Sequence, residues 1–224
     1  MEPVREQFDD CLKCLEDSFS QDNFVQTRKA WFHRSQGDCV QRLAFSLERK
    51  GSEEGVVRGS LGIGFRSLDE IVRQCKESAY LQEQVRVYKK YPCCHGMLLA
   101  HLFPRDRPCR WFIVPKKEMT SLAAQISSDA QAFATPYFSQ FDTLEKQVHE
   151  WRKQFASGQL ATETCLYLAF AEAVLGNTAT GANLLRTRAE VEKQRLSTRS
   201  PPREGPSLCD ELTAARQWLE SRHA

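Results

Sequence analysis

Cys11 and Cys14 are separated by two residues, the spacing at which a pair of thiolates can hold half of a tetrahedral zinc site, and Cys93-Cys94-His95 could supply further ligands. The residues around the first pair argue against that chemistry. Val4, Phe8, Cys11, Leu12, Leu15 and Phe19 repeat at helical spacing, which predicts an amphipathic helix over 3–20 with Cys11 on its apolar face. A redox C-x-x-C needs a helix N-terminus to lower the thiol pKa, and this one falls mid-helix. Cys93 and Cys94 are adjacent, so on a strand their side chains diverge, and a second C-x-x-C is lacking. The nine cysteines are odd in number and irregularly spaced, which speaks for free, mostly buried thiols rather than a disulfide framework. No metal and no cofactor is implied.

The histidines are scattered. His95 and His101 would share a strand face but stand roughly 20 Å apart on an extended chain, too far for one metal ion. A Cys94–His95 or Cys109–His101 dyad is conceivable across a hairpin, but no third group orients it. Asp142, Glu145 and Glu150 near His149 read as a polar helix face with Lys146 and Arg152 as helical neighbours. No phosphate-binding loop or activated nucleophile emerges.

One segment is biased in charge. From Val85 to Lys117, Arg86, Lys89, Lys90, Arg105, Arg107, Arg110, Lys116 and Lys117 face Asp106 alone, with Tyr88, Tyr91, Phe103 and Trp111 interleaved. Basic groups can neutralise phosphates while aromatics stack on bases. A basic rim equally suits an acidic protein partner, whose association it accelerates. The third reading is a solvated loop over core aromatics. The net charge of +2 sets up no global field for nucleic acid or anionic lipid. No apolar run approaches the ~18 residues that span a bilayer, and MEPVREQFDD lacks the features of a secretory signal, so a cytoplasmic location is expected.

The elements that must hold these residues begin with the helix over 3–20. Three alternating runs follow, at 25–34, 39–49 and 56–66, joined by turns containing Gly37, Gly51 and Gly55. Gly59, Gly62 and Gly64 on the third run leave room for a backbone, a helix or a ligand to approach, with Arg58, Arg66 and Arg110 as a possible rim. Ser67 and Glu70 fit a capping box opening a helix to about Ser78. Residues 79–92 read as irregular, 94–103 and 109–114 as strands. Helices then occupy 117–133, ending before Pro136, and 142–155, 161–175, 178–196 and 207–222, with a Pro/Gly-rich loop at 200–206. The pair at 161–196 looks like one tetratricopeptide-type hairpin, and a single such unit is not an array.

Phe24, Trp31-Phe32, the strand from Gln41 to Phe45, Leu61-Gly62-Ile63, Trp111 and the stretch from Phe138 through Leu144 occur in an order that resembles a bacterial family catalogued as domain of unknown function 4304. The resemblance covers roughly residues 5–151 and excludes the C-terminal helices. It implies a fold and carries no catalytic residues. Proteins of this make-up often serve as partners of other proteins, including as immunity proteins to toxins, by analogy of fold alone.

The reading is an α+β fold: an antiparallel sheet of about five strands packed by helices over 1–156, with a helical extension over 157–224. It favours a protein-interaction module without catalysis, whose binding residues would include Arg86, Lys89, Lys90, Arg105, Arg107, Arg110 and Trp111. Nucleic acid or an enzymatic role for the same segment is the alternative.

Overall fold

The computed structural model describes residues 4–51, 53–88, 95–105, 110–114, 118–197 and 207–222. The fold is α+β, with an antiparallel sheet of six strands among the described residues. The chain forms two compact units, each built from two stretches of sequence: 1–63 with 95–142, and 64–94 with 143–224.

The first unit holds the sheet. Its strands are β1 (Val25–Arg28), β2 (Trp31–Gln36), β3 (Cys39–Arg49), β4 (Gly55–Phe65), β5 (His95–Leu98) and β6 (Trp111–Ile113). They are ordered β1-β2-β3-β4-β5, and β6 also pairs with β4. One edge of β4 therefore serves two short strands in series, β6 along Gly55 to Val57 and β5 along Ser60 to Ile63. The expected single strand over 25–34 is instead a tight hairpin. The chain turns at Lys29-Ala30, a shift in register lies between Gln26 and Arg28, and the Gln26 side chain donates to the Lys29 carbonyl at 2.7 Å. Continuous alternation hid the turn, because neither Lys29 nor Ala30 is a turn-forming residue.

Helices α1 (Val4–Ser20) and α4 (Met119–Gln140) cover one face of this sheet. The apolar stripe of α1 is buried as its spacing requires, from Val4 through Phe19. Phe19 meets Phe32 edge-on at 5.1 Å and stacks on Phe45 at 5.9 Å. α4 passes through Pro136, where the sequence predicts a stop. A proline inside a helix costs about 3 kcal/mol. Burial of Ala134, Tyr137 and Phe138 on either side of it offsets that cost.

The second unit is helical: α2 (Arg66–Gln74), α3 (Ala79–Tyr88), α5 (Leu144–Ala156), α6 (Thr162–Val174), α7 (Thr178–Ser197) and α8 (Leu208–Ser221). α2 starts directly from the strand, with Phe65 in the cap position and no side-chain cap bond, so the predicted Ser67 capping box does not begin it. Burial of Leu68 and Val72 sets its register instead. α6 and α7 form the expected hairpin. Gly176, at φ +81°, makes the turn, and a Cβ on Gly181 would lie 2.4 Å from the Ala169 carbonyl oxygen, so only glycine lets the two helices approach this closely.

Residues 79–88, read from sequence as irregular, are helical because their cap comes from far away. The Ser78 hydroxyl accepts from the Leu81 N–H at 3.2 Å and donates to the Glu211 carboxylate at 2.6 Å. The same carboxylate oxygen of α8 accepts from the Tyr80 N–H at 3.2 Å. Two of the open donors at the start of α3 are thereby satisfied, and a buried negative charge sits on the positive end of a helix dipole. Glu211→Ala is expected to lower unfolding stability by roughly 2–3 kcal/mol and Ser78→Ala by roughly 1 kcal/mol. In urea unfolding the double variant should lose less than the sum of the two, because both act on one network.

Candidate interaction surface

The described members of the basic segment are divided between the two units. Arg86 lies on α3 in the second unit and is held by Glu83 at 2.7 and 2.8 Å. Arg105, Arg110 and Trp111 lie in the first unit. Lys89, Lys90, Arg107, Lys116 and Lys117 are outside the described residues, as are Cys93, Cys94, Cys109 and the loop at 200–206. Arg105 and Arg110 are exposed.

Trp111 is a correction. It was expected at a binding surface and is 3% exposed. Its indole N–H donates to the buried Asp129 carboxylate at 2.8 Å, and its ring meets Phe45 and Phe103 edge-on at 6.3 and 5.9 Å. The room over Gly59 is taken by the same ring: a Cβ there would stand 3.1 Å from Trp111 and 3.3 Å from Leu99. The absent side chain makes space for an indole, as a strand glycine does where something must come close.

Alternation along β6 then decides what faces outward. Trp111 and Ile113 are buried, and Phe112 is 47% exposed. Phe112 stands opposite Val56 and Leu98 opposite Ser60, both on the side of β4 that alternates away from Val57, the partner of Trp111. Leu98 is 41% exposed. Arg58 lies between Val56 and Ser60 on this row and pairs with Glu48. The surface thus combines Phe112, Leu98 and Arg58, with the exposed Arg110 immediately before β6. Sequence reading singled out Arg58 and Arg110 but missed Phe112 and Leu98. The signal was present as a register: once Trp111 is assigned to the glycine of the neighbouring strand, Phe112 must point the other way.

The reactive groups elsewhere are engaged within the fold. Arg152 grips the fully buried Glu172 of α6 in a two-pronged ion pair at 2.5 and 2.6 Å. Thr162 donates to Glu192 at 2.8 Å and accepts from Arg188 at 2.6 Å. Cys11 is buried and Cys14 half-buried on α1. His95 and His101 do not share a strand: β5 ends at Leu98, and a single 3₁₀ turn occupies Leu99–Leu102. Among the described residues no three His, Cys, Asp or Glu side chains converge on a metal-sized site, and no helix is long and apolar enough to cross a membrane. The second unit carries an open concavity of about 440 Å³ between α7 and α8, lined in part by Ala189, Lys193, Cys209 and Arg216, where the Cys209 thiol donates to the Ala189 carbonyl at 3.6 Å.

Burial sets the titration of the remaining candidates. The thiols of Cys39, Cys75 and Cys165 are pushed up to about 11 by desolvation, with nearby carboxylates adding to the effect, so at neutral pH they stay protonated and are poor nucleophiles. In the native protein these three should resist iodoacetamide at pH 8 and react once urea unfolds the chain, while half-buried Cys14 and Cys209 react first. Peptide mass mapping reads the order, and fast native labelling of Cys165 would contradict it.

His33 is buried on β2, its Nδ1 lies 2.6 Å from the Thr27 hydroxyl, and it is drawn down to about 4 by desolvation and then by the charges of Arg42 and Arg28. Above pH ~6.5 the imidazole is neutral folded and unfolded, so it adds no pH dependence. As pH falls from 6.5 to about 4, the unfolded chain gains a proton that the folded one refuses, so roughly 3 kcal/mol of stability is lost across that window. Urea midpoints at pH 7, 5.5 and 4.5 should fall more steeply for the natural protein than for a His33→Gln variant. Parallel profiles would refute this.

No protein-family model, no curated protein and no solved structure matches this chain. The class is therefore set by its own geometry: an α+β protein whose first unit displays an exposed apolar and cationic row on a sheet face.

Proposed function

We propose that this chain is a non-catalytic protein-interaction module and that it binds through the outward row of β4, β5 and β6. The observation that carries the reading is the pairing of Phe112 and Leu98, both exposed, with Arg58 on the same face of the sheet and the exposed Arg110 next to β6 in sequence. Phenylalanine and arginine are among the residues enriched at the cores of protein interfaces, where a few groups supply most of the binding energy. The buried carboxylates Glu211, Asp129 and Glu172 are spent on a helix cap, a core hydrogen bond and an ion pair.

The order of α1, the strand meander, β6 with its tryptophan and the aromatic end of α4 supports kinship with the family of unknown function that the sequence resembles, and with it an accessory or immunity-type role. The described cysteines are free thiols, which supports action in the cytoplasm.

The test is affinity capture from the native host, with the natural protein and a Phe112→Ser variant as paired baits. A stoichiometric partner held by the natural bait and depleted about tenfold or more on the variant is the expected outcome. A thermal melt within 2–3 °C of the parent would show that the variant still folds. Equal capture by both baits would remove this face from the reading.

A further inference from the structure

The proposed face also specifies the chemistry of what binds it. Along this face of β4 run buried Val56, exposed Arg58 and half-buried Ser60, with exposed Phe112 across from the first and exposed Leu98 across from the last. The ladder between β4 and β6 ends at Val57 and Trp111, and the exposed Arg110 is the residue just before it, as Arg58 is the residue just after Val57. Both arginines are exposed, and like charges at neighbouring positions repel rather than neutralise each other. Glu48 is already shared between Lys50, at 2.7 Å, and Arg58, and those two cations hold its carboxyl below its ordinary range. Lys50, Arg58 and Arg110 against Glu48 and Glu54 leave these described residues net positive, with an apolar anchor at each end roughly 13 Å apart, four residues of strand.

We propose that this row binds an acidic protein segment. Two apolar side chains of the partner seat on Phe112 and Leu98, and carboxylates between them take the Arg58 and Arg110 guanidiniums. The inference rests on the reading of the chain as a protein-interaction module. A protein suits the row better than a nucleic acid because the second anchor, Leu98, is aliphatic and offers no stacking face, and Trp111 is locked in the core. Guanidinium forks match carboxylates in two-pronged geometry, which gives direction as well as attraction.

The probe is a fluorescein-labelled 14-residue peptide carrying two leucines four positions apart, with glutamates between and around them. Its controls are the same peptide with lysine for every glutamate and a labelled 12-nucleotide oligo-dT. In fluorescence anisotropy at 20 mM salt the acidic peptide should bind, the lysine peptide should not, and oligo-dT should bind at least tenfold more weakly. Arg110→Glu and Phe112→Ser should each weaken the acidic peptide tenfold or more, with circular dichroism melts showing that both variants fold. Equal or tighter binding of oligo-dT or the lysine peptide would overturn the inference, as would an acidic peptide indifferent to both substitutions. The two readings fail separately. Host-partner capture that depends on Phe112 but survives Arg110→Glu defeats the acidic-partner inference and leaves the module standing, whereas capture indifferent to Phe112 defeats the module reading itself.

Discussion

The indole of Trp111, seated over Gly59 and tied through its N–H to Asp129, is the constraint on which the first unit turns. β6 is three residues long, and a strand so short has little backbone pairing to define its register. The tryptophan defines it instead. Only one alignment places the ring in the slot left by the missing side chain, against Phe45 and Phe103, with a buried carboxylate in reach. A slip of one residue would put Phe112 in the core and an arginine on the aromatic cluster, because the side-chain period of a strand is two. The same contact therefore fixes what is hidden and what is shown.

The second unit adds two polar anchors to an apolar core that includes Trp151, Phe170 and Leu212. Glu172 and Glu211 are buried carboxylates on consecutive layers of helices, one met by an arginine fork and the other by a hydroxyl and the start of a helix. Such pairs add little net stability over apolar substitutes, but they are intolerant of wrong arrangements, since a carboxylate left unpaired in the interior is strongly penalised. Gly181 imposes a comparable restriction by sterics, letting α7 approach α6 at one crossing.

How much of this was legible in the sequence follows from the range of the interaction responsible. α1, β3, α5, α6 and α7 were readable because their signals are local: apolar spacing, alternation and a glycine at a helix end. What was misread depended on distant partners. α3 takes its cap from a residue more than 130 positions away. α4 crosses a proline because packing outweighs propensity. The start of α2 is set by burial, not by the serine that fits a capping pattern. At the candidate surface the arginines were visible as charge. Trp111 was read as a binding residue and Phe112 was passed over, because adjacent aromatics on a strand cannot be assigned to faces without knowing what lies on the next strand.

The clasp between Ser78 and Glu211 has a bearing on how the protein is made. Its two halves leave the ribosome far apart in time, so the beginning of α3 emerges long before the helix that completes it. Until then its first turn has only Ser78 to hold it, and a segment with little apolar surface of its own stays susceptible to chaperones and proteases. The second unit closes only when α8 arrives, which makes its assembly a late, concerted event in the life of the nascent chain.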